Sequence, residues 1–214
     1  MGKIRKQNFQ EWIRSVFDHS VTNPPRYLKP ASDWWDEKAR PQVTIKYLTR
    51  LFENPFDTLS PFTDVQVNQG LWYIADLSRS DYMYVLLTDN SVRESDRLRG
   101  IESVYTLFEK FFAVRCSAHL SHRDEPGANP LNSVCYMWWD FLDMNNRILL
   151  RIMEKQLQLN SIACQESALH GLGHAHRYFP CEVETIIDDF LSRKLTMRPE
   201  LKTYALNARS GCIL

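Results

Sequence analysis

The sequence has little glycine and no net charge. Only seven of its 214 residues are glycine, and neither Asn-Gly nor Asp-Gly occurs, so the usual sites for tight β-hairpin turns are missing.

The 26 basic and 26 acidic side chains balance each other. A nucleic-acid-binding chain needs a basic field that displaces counterions from phosphates, so we expect no nucleic-acid partner. For the same reason we expect no attraction to an anionic membrane surface.

Long apolar runs and catalytic signatures are also absent. No stretch approaches 18 apolar residues, so the sequence predicts no membrane span. The five cysteines are an odd number without a C-x-x-C pair, which indicates free thiols in a reducing compartment and predicts a cytoplasmic protein. No glycine-rich phosphate loop, G-x-S-x-G or H-E-x-x-H motif occurs. The sequence therefore predicts no cofactor, and it favours a binding role over an enzymatic one.

The segments between the prolines carry apolar residues at helical spacing. A long apolar stripe extends from Leu131 to Leu157, interrupted at Asn145-Asn146, where a kink or short break is expected. His119 to Pro130 has the composition of a polar loop. The pattern predicts an all-α protein. The other predicted helices before residue 160 are Phe9 to Phe17, Pro41 to Phe52, Thr63 to Leu77, Tyr82 to Leu87 and Arg93 to Val114.

The last third of the chain resembles a HEAT-type helical repeat. The segment Ala163 to His174 has the small residue, leucine and Leu-Gly pair of a first HEAT helix. Cys181 to Leu191 is similar to a second helix. A new first helix follows Arg198, and its Ala205-Leu206 lies 37 residues after Ala168-Leu169, close to the period of a helical hairpin.

This resemblance implies antiparallel helical hairpins stacked as a short, irregular HEAT-like α-solenoid. Stacking is needed in such repeats because one hairpin cannot bury its own apolar face. We expect one helical domain over residues 1–214, with N-terminal helices and a loop in 1–60. Irregular helical pairs and one long helix follow in 61–160, and the HEAT-like repeats occupy 161–214. The family commonly uses its extended surface to bind another macromolecule.

Glu166, His170 and His174 form the clearest candidate metal site. At positions i, i+4 and i+8 of a helix they share one stripe, and two imidazoles with a carboxylate can hold a transition metal. The HEAT-repeat deoxyhypusine hydroxylases hold two irons with His-Glu pairs on such helices. Here His170 precedes Gly171, and no second copy of the stripe occurs. The favoured interpretation is therefore structural, and metal binding is the alternative.

Aromatic and basic side chains supply the candidate partner-binding surface. The adjacent tryptophans of each Trp-Trp pair point about 100° apart on a helix, so one of each pair is a candidate exposed anchor. The alternative is that Trp139 packs on a neighbouring hairpin. Arg147 and Arg151 lie on the solvent side of the predicted long helix. The candidates are Trp34, Trp35, Tyr136, Trp139, Arg147 and Arg151.

Other reactive side chains have ordinary structural interpretations. His119 and His122 are predicted to cap the preceding helix, where an imidazolium favours the helix dipole. Cys164 is predicted to be buried and inert. The resulting functional hypothesis is a non-catalytic protein-binding module, most concretely a bacterial immunity or inhibitor-type protein that covers a toxin or enzyme. The alternative is a metal-dependent enzyme that uses the Glu/His stripe. The oligomeric state is not predicted.

Overall fold

A computed structural model describes residues 8–21, 41–193 and 196–213, and these ranges contain helices and connecting segments without a β-strand. The predicted all-α class is therefore confirmed. Within these ranges, no helix is both long and apolar enough to cross a membrane. The helices of the N-terminal half are α1 (Phe9–Phe17), α2 (Pro41–Glu53), α3 (Pro55–Leu59), α4 (Asp64–Ala75), α5 (Tyr82–Leu87) and α6 (Glu94–Leu107).

The C-terminal half continues from α6 without a break. A π-helical segment, Phe108–Phe112, connects α6 to the short α7, so the predicted helix from Arg93 to Val114 is confirmed as one helical run. The polar loop after it contains a 3₁₀ turn, Ser121–Arg123. The remaining helices are α7 (Ala113–Arg115), α8 (Leu131–Tyr136), α9 (Arg147–Leu157), α10 (Ile162–Ala175), α11 (Pro180–Arg193) and α12 (Pro199–Arg209).

Local capping explains several helix starts. The side chain of Asn8 accepts a hydrogen bond from the backbone of Glu11, and the Glu11 carboxylate accepts one from the backbone of Asn8. Thr63 and Gln66 form the same reciprocal box at α4. Ser161 caps α10 through the backbone N–H of Cys164. Each box satisfies backbone donors that the first helical turn leaves without partners.

The predicted long helix from Leu131 to Leu157 is wrong in its middle. The chain forms α8, then the 3₁₀ turn Met137–Trp139, and it is not helical again until α9 begins. Asn146 accepts a hydrogen bond from the backbone N–H of Ile148 and thereby caps the new helix. The interruption expected at Asn145-Asn146 is confirmed, but it begins earlier than those residues, and it places Asp140 in a turn instead of on a helix face.

Helix α10 lies at the centre of the helical packing. It contacts α8, α9, α11 and α12 as well as the π-helical segment, and all but one of its residues from Ala163 to Ala175 are buried. A helix that is buried on every side belongs to the interior of a helical protein. The solenoid arrangement of the HEAT-like repeats stays a prediction.

One contiguous apolar core includes side chains from α1 through α12. Helix α1 packs on α4, and α2 packs on α5 and α6, so the N-terminal helices share this core. Gly171 lets α10 approach the 3₁₀ turn closely, because a Cβ atom there would lie 2.7 Å from Cγ of Trp139. This close contact holds the turn that carries Asp140 directly against the histidine-bearing helix.

Candidate metal centre

The two histidines of the predicted stripe meet on one side of α10. Nε2 of His170 lies 3.3 Å from Nε2 of His174, and the two rings are nearly perpendicular. The spacing of four residues produces this approach, because one helical turn brings positions i and i+4 together. The His170 side chain is only 1% exposed, whereas His174 is 41% exposed. The pair therefore extends from the core to the surface.

Glu166 does not join these histidines as the sequence pattern suggested. Its side chain is fully buried, and its carboxylate accepts hydrogen bonds from the backbone N–H groups of Ser121 and His122, each at 2.9 Å. Nδ1 of His122 lies 2.6 Å from the same carboxylate. Glu166 therefore fixes the 3₁₀ turn Ser121–Arg123 to α10, which is a structural role.

Asp140 supplies the carboxylate that meets the histidines. Its Oδ1 atom lies 2.5 Å from Nε2 of His170 and 3.4 Å from Nε2 of His174. Among the described residues, these three side chains form the one group whose ligand atoms could hold a metal ion, since all lie within 4.8 Å of one another. Asp140 follows the 3₁₀ turn and lies 30 positions before His170, so helical spacing could not reveal it.

The geometry of Asp140 differs from that of an ordinary carboxylate–imidazole hydrogen bond. Oδ1 is buried and has no aligned hydrogen-bond donor, although Nε2 of His170 is close. Burial raises the pKa of the Asp140 carboxyl, but hydrogen bonding and charge attraction from His170 and His174 outweigh burial, and the pKa falls to about 2. The carboxylate is therefore ionised at neutral pH and can act as a metal ligand.

Two of the three separations between the candidate ligand atoms match a tetrahedral ion, and the third is shorter than a tetrahedral or an octahedral ion requires. Zinc bonds to nitrogen and oxygen measure roughly 2.0–2.2 Å, so neighbouring ligand atoms of a tetrahedral site lie about 3.3 Å apart. Octahedral ligands at similar bond lengths are separated by about 3.0 Å. The 3.3 and 3.4 Å separations match the tetrahedral value. The 2.5 Å approach of Asp140 to His170 would lengthen by about 0.8 Å on metal binding.

Two tyrosines lie behind His170. The hydroxyl of Tyr204 on α12 is 2.6 Å from Nδ1 of His170, and it also contacts the hydroxyl of Tyr136 at 3.0 Å. The ring of His122 stacks on Tyr204 with centroids 4.2 Å apart. Burial is the main cause that raises the pKa of both tyrosine hydroxyls. Both tyrosines are therefore protonated at neutral pH and have a hydrogen to donate.

The loop that carries His122 is held to α12 by charge. Arg198 forms a two-pronged ion pair with Glu125, whose carboxylate also accepts a hydrogen bond from the backbone of Leu120. The hydrogen bonds from Arg198 lower the pKa of Glu125 to about 2. Beside this loop, a cavity of about 560 Å³ is bordered by Tyr136, Asn132, Ser133 and Glu125 among others.

The predicted helix-capping role of His119 and His122 is wrong. His122 binds Glu166, as described above, and Nδ1 of His119 contacts the hydroxyl of Ser117 at 2.8 Å. Cys164 is buried, as the sequence predicted. The buried thiol of Cys135 has a pKa well above its usual value, because burial disfavours the thiolate, so this thiol is a poor nucleophile at neutral pH.

The aromatic candidates for partner binding are largely unavailable. Trp139 is fully buried and stacks on Phe108 with ring centroids 5.6 Å apart. The prediction of Trp139 as a surface anchor is therefore wrong; the side chain packs in the interior, and its predicted packing on a neighbouring repeat hairpin stays a prediction. Tyr136 is half-buried and contacts Tyr204 through its hydroxyl. Trp34 and Trp35 lie outside the described residues.

The basic candidates do lie at the surface. Arg147 and Arg151 are both exposed on α9, beside a groove of about 410 Å³ that α9 forms with α11. Leu150 and Ile186 contribute apolar lining to the groove. Arg147 pairs with Glu182 at 2.5 Å, whereas Arg151 forms no ion pair with another described residue.

Comparisons with protein-family models, curated proteins and solved structures found no significant match to this chain.

Proposed function

We propose that the chain is a mononuclear metalloprotein that binds a divalent transition metal, zinc in the first instance. The ligand atoms are Oδ1 of Asp140 and Nε2 of His170 and His174. One observation carries the proposal: the three atoms converge from a turn and a helix, and the buried carboxylate oxygen has no aligned hydrogen-bond donor. A bound cation would satisfy that oxygen and both nitrogens at once.

The ligand number favours a reactive centre over a structural one. Structural zinc sites are closed by four protein ligands, whereas catalytic sites have three and an open position. His174 is 41% exposed, so solvent reaches this side of the site. A divalent ion here would polarise a water molecule or a substrate oxygen, which supports metal-dependent hydrolytic chemistry. We thus favour the metal-dependent alternative, with the HEAT-like helices of residues 163–208 as its scaffold.

Metal titration of the full chain tests this proposal. Protein freed of metal with a chelator and titrated with Zn²⁺ should bind about one equivalent per chain, because the part of the chain that the structure describes contains one such three-ligand group. Binding to the folded state should also raise the unfolding midpoint as free Zn²⁺ increases. Elemental analysis of untreated protein gives an independent count. Binding that does not saturate, with less than about a tenth of an equivalent retained, would overturn the proposal.

A second candidate is the protein-binding module, most concretely an immunity or inhibitor-type protein. The supporting observation is the groove between α9 and α11, which combines apolar lining with the exposed Arg151, a side chain without an ion pair to another described residue. An acidic, amphipathic segment of a toxin or enzyme would complement it in charge and in apolar surface. On this hypothesis the groove, and not the aromatic pairs, contacts the partner.

Charge reversal at Arg151 tests the second candidate. Arg151→Glu should reduce the recovery of a stoichiometric partner from native lysate at least about tenfold, since it adds repulsion to an acidic segment. Lys202→Glu is the matched control, because Lys202 is an exposed basic residue on another helix, α12. Equal recovery with both variants, or no stoichiometric partner with the unaltered chain, counts against the groove.

A further inference from the structure

Tyr204 occupies a position that controls which nitrogen of His170 carries hydrogen. Its hydroxyl lies 2.6 Å from Nδ1 of His170, on the opposite side of the ring from the candidate ligand atom Nε2. The same hydroxyl lies 3.0 Å from the hydroxyl of Tyr136. His170 and Tyr204 are both buried. These groups therefore form a chain of hydrogen bonds from the buried His170 to the half-buried Tyr136.

Packing prevents His170 from turning to exchange its two nitrogens. The ring of Tyr136 lies against the ring of His170, with centroids 4.3 Å apart. Tyr204 is itself held by the stacked ring of His122, and Glu166 fixes His122 to α10. Rotation of the imidazole would require these rings to move in a close-packed interior. Nε2 therefore stays directed toward Asp140 and His174.

A neutral His170 has two tautomers, with the hydrogen on Nδ1 or on Nε2, and each requires its own arrangement of the neighbouring hydrogen bonds. In the first, Nδ1–H donates to the oxygen of Tyr204, and the hydroxyl of Tyr204 donates to Tyr136. Nε2 then presents a lone pair. In the second, Tyr204 donates to Nδ1 and Nε2 carries the hydrogen. In metal-free protein this second arrangement is favoured, because an unprotonated Nε2 would place its lone pair 2.5 Å from the ionised Oδ1 of Asp140. A bound metal ion takes the place of that hydrogen and therefore requires the first arrangement.

We infer that Tyr204 is a positioning residue of the metal centre, whose oxygen accepts the Nδ1–H of His170 and so favours the tautomer whose Nε2 can bind a metal ion. Tyr136 completes the arrangement by accepting the hydroxyl hydrogen of Tyr204. This inference rests on the proposed metal-binding function. A ligand histidine commonly donates its other N–H to a neighbouring oxygen, and this second contact fixes the ring and strengthens the ligand. Tyr204 supplies that oxygen here.

The test compares Tyr204→Phe with the unaltered full chain. Affinity for Zn²⁺, measured by competition with a chromogenic chelator, should fall about 10- to 100-fold, the usual cost of losing a partner of a ligand histidine. Tyr136→Phe should lower the affinity in the same direction but less, because Tyr204 then lacks its acceptor and donates to Nδ1 instead. Tyr178→Phe is the matched control: its hydroxyl contacts Arg177 on the surface, and no change is expected.

Nitrogen NMR of His170 provides the readout that simple loss of packing would not change. Zinc binding to the unaltered protein should move the His170 hydrogen from Nε2 to Nδ1, and in Tyr204→Phe the Nδ1–H signal should lose the downfield shift that its hydrogen bond to Tyr204 produces. Urea unfolding of each variant measures stability separately. If Tyr204→Phe does not fold, the zinc affinity of Tyr136→Phe is used to test the inference instead.

The possible outcomes separate this inference from the function on which it rests. Zinc binding by the unaltered chain with equal affinity in Tyr204→Phe would overturn the role of Tyr204 and leave the metal centre standing. An absence of zinc binding by the unaltered chain would overturn the metal centre, and the inference with it. An Nδ1–H signal that is the same in zinc-bound Tyr204→Phe and in the zinc-bound unaltered chain would overturn the inference and leave the metal centre standing.

Discussion

Glu166→Gln is expected to lower the free energy of unfolding by about 3 kcal/mol. The buried carboxylate accepts two backbone N–H groups and lies 2.6 Å from Nδ1 of His122. Glutamine has an NH₂ group in place of one accepting oxygen. This NH₂ group is itself a donor, so it would lie against a donor of the turn instead of accepting from it. At least one partly buried donor from the turn Ser121–Arg123 loses its partner. Urea unfolding at neutral pH measures the loss.

Glu154→Gln provides the control for this substitution. Glu154 is exposed on α9, and the same chemical change there should alter stability by less than about 0.5 kcal/mol. Amide hydrogen exchange at Ser121 and His122 should accelerate in Glu166→Gln, because these two N–H groups bind the carboxylate. Equal stability of the two glutamine variants would show that Glu166 does not anchor the turn.

Asp140→Asn or His174→Ala is expected to weaken zinc binding by more than about 100-fold, because losing a direct ligand costs more than losing a partner behind one. His174 is the preferred histidine for substitution, since it is 41% exposed whereas His170 is buried in the core. Truncation of His174 should therefore leave the fold intact. Chelator competition measures the affinity, and urea unfolding verifies the fold.

His176→Ala is the matched control for the ligand variants. His176 lies two residues after His174, but its Nε2 is 3.7 Å from Glu184 on α11 and takes no part in the cluster. The zinc affinity of His176→Ala should stay within about threefold of the zinc affinity of the unaltered chain. Folded Glu166→Gln should also retain zinc. Loss of zinc in folded Glu166→Gln, with retention in Asp140→Asn, would restore the ligand set Glu166, His170 and His174 that the sequence pattern suggested.

The candidate carboxylate ligand is Asp140, whereas the helical stripe in the sequence suggested Glu166. This difference shows why the stripe alone could not predict the ligand set. Helical spacing places three side chains on one face, but it does not say which neighbours occupy that face. In the fold, the turn Ser121–Arg123 engages Glu166, and the turn after Trp139 brings Asp140 to the histidines. Both partners are more than 25 residues distant in sequence from the side chains that they meet.

The sequence by itself determined the all-helical class, most helix positions and the meeting of His170 with His174. These features depend on local chemistry: the 3.6-residue period, capping side chains and the spacing of one helical turn. Helix α1 and the helical run from α6 to α7 follow directly from such patterns.

Only the tertiary structure decided the ligand set, the burial of Trp139 and the role of Tyr204. The helix predicted through Asp140 is broken because packing of the 3₁₀ turn against Gly171 and Phe108 outweighs the local apolar period. Tyr204 reaches His170 from α12, 34 residues later in the chain. Contacts between distant segments set these features, and no pattern within one helix encodes them.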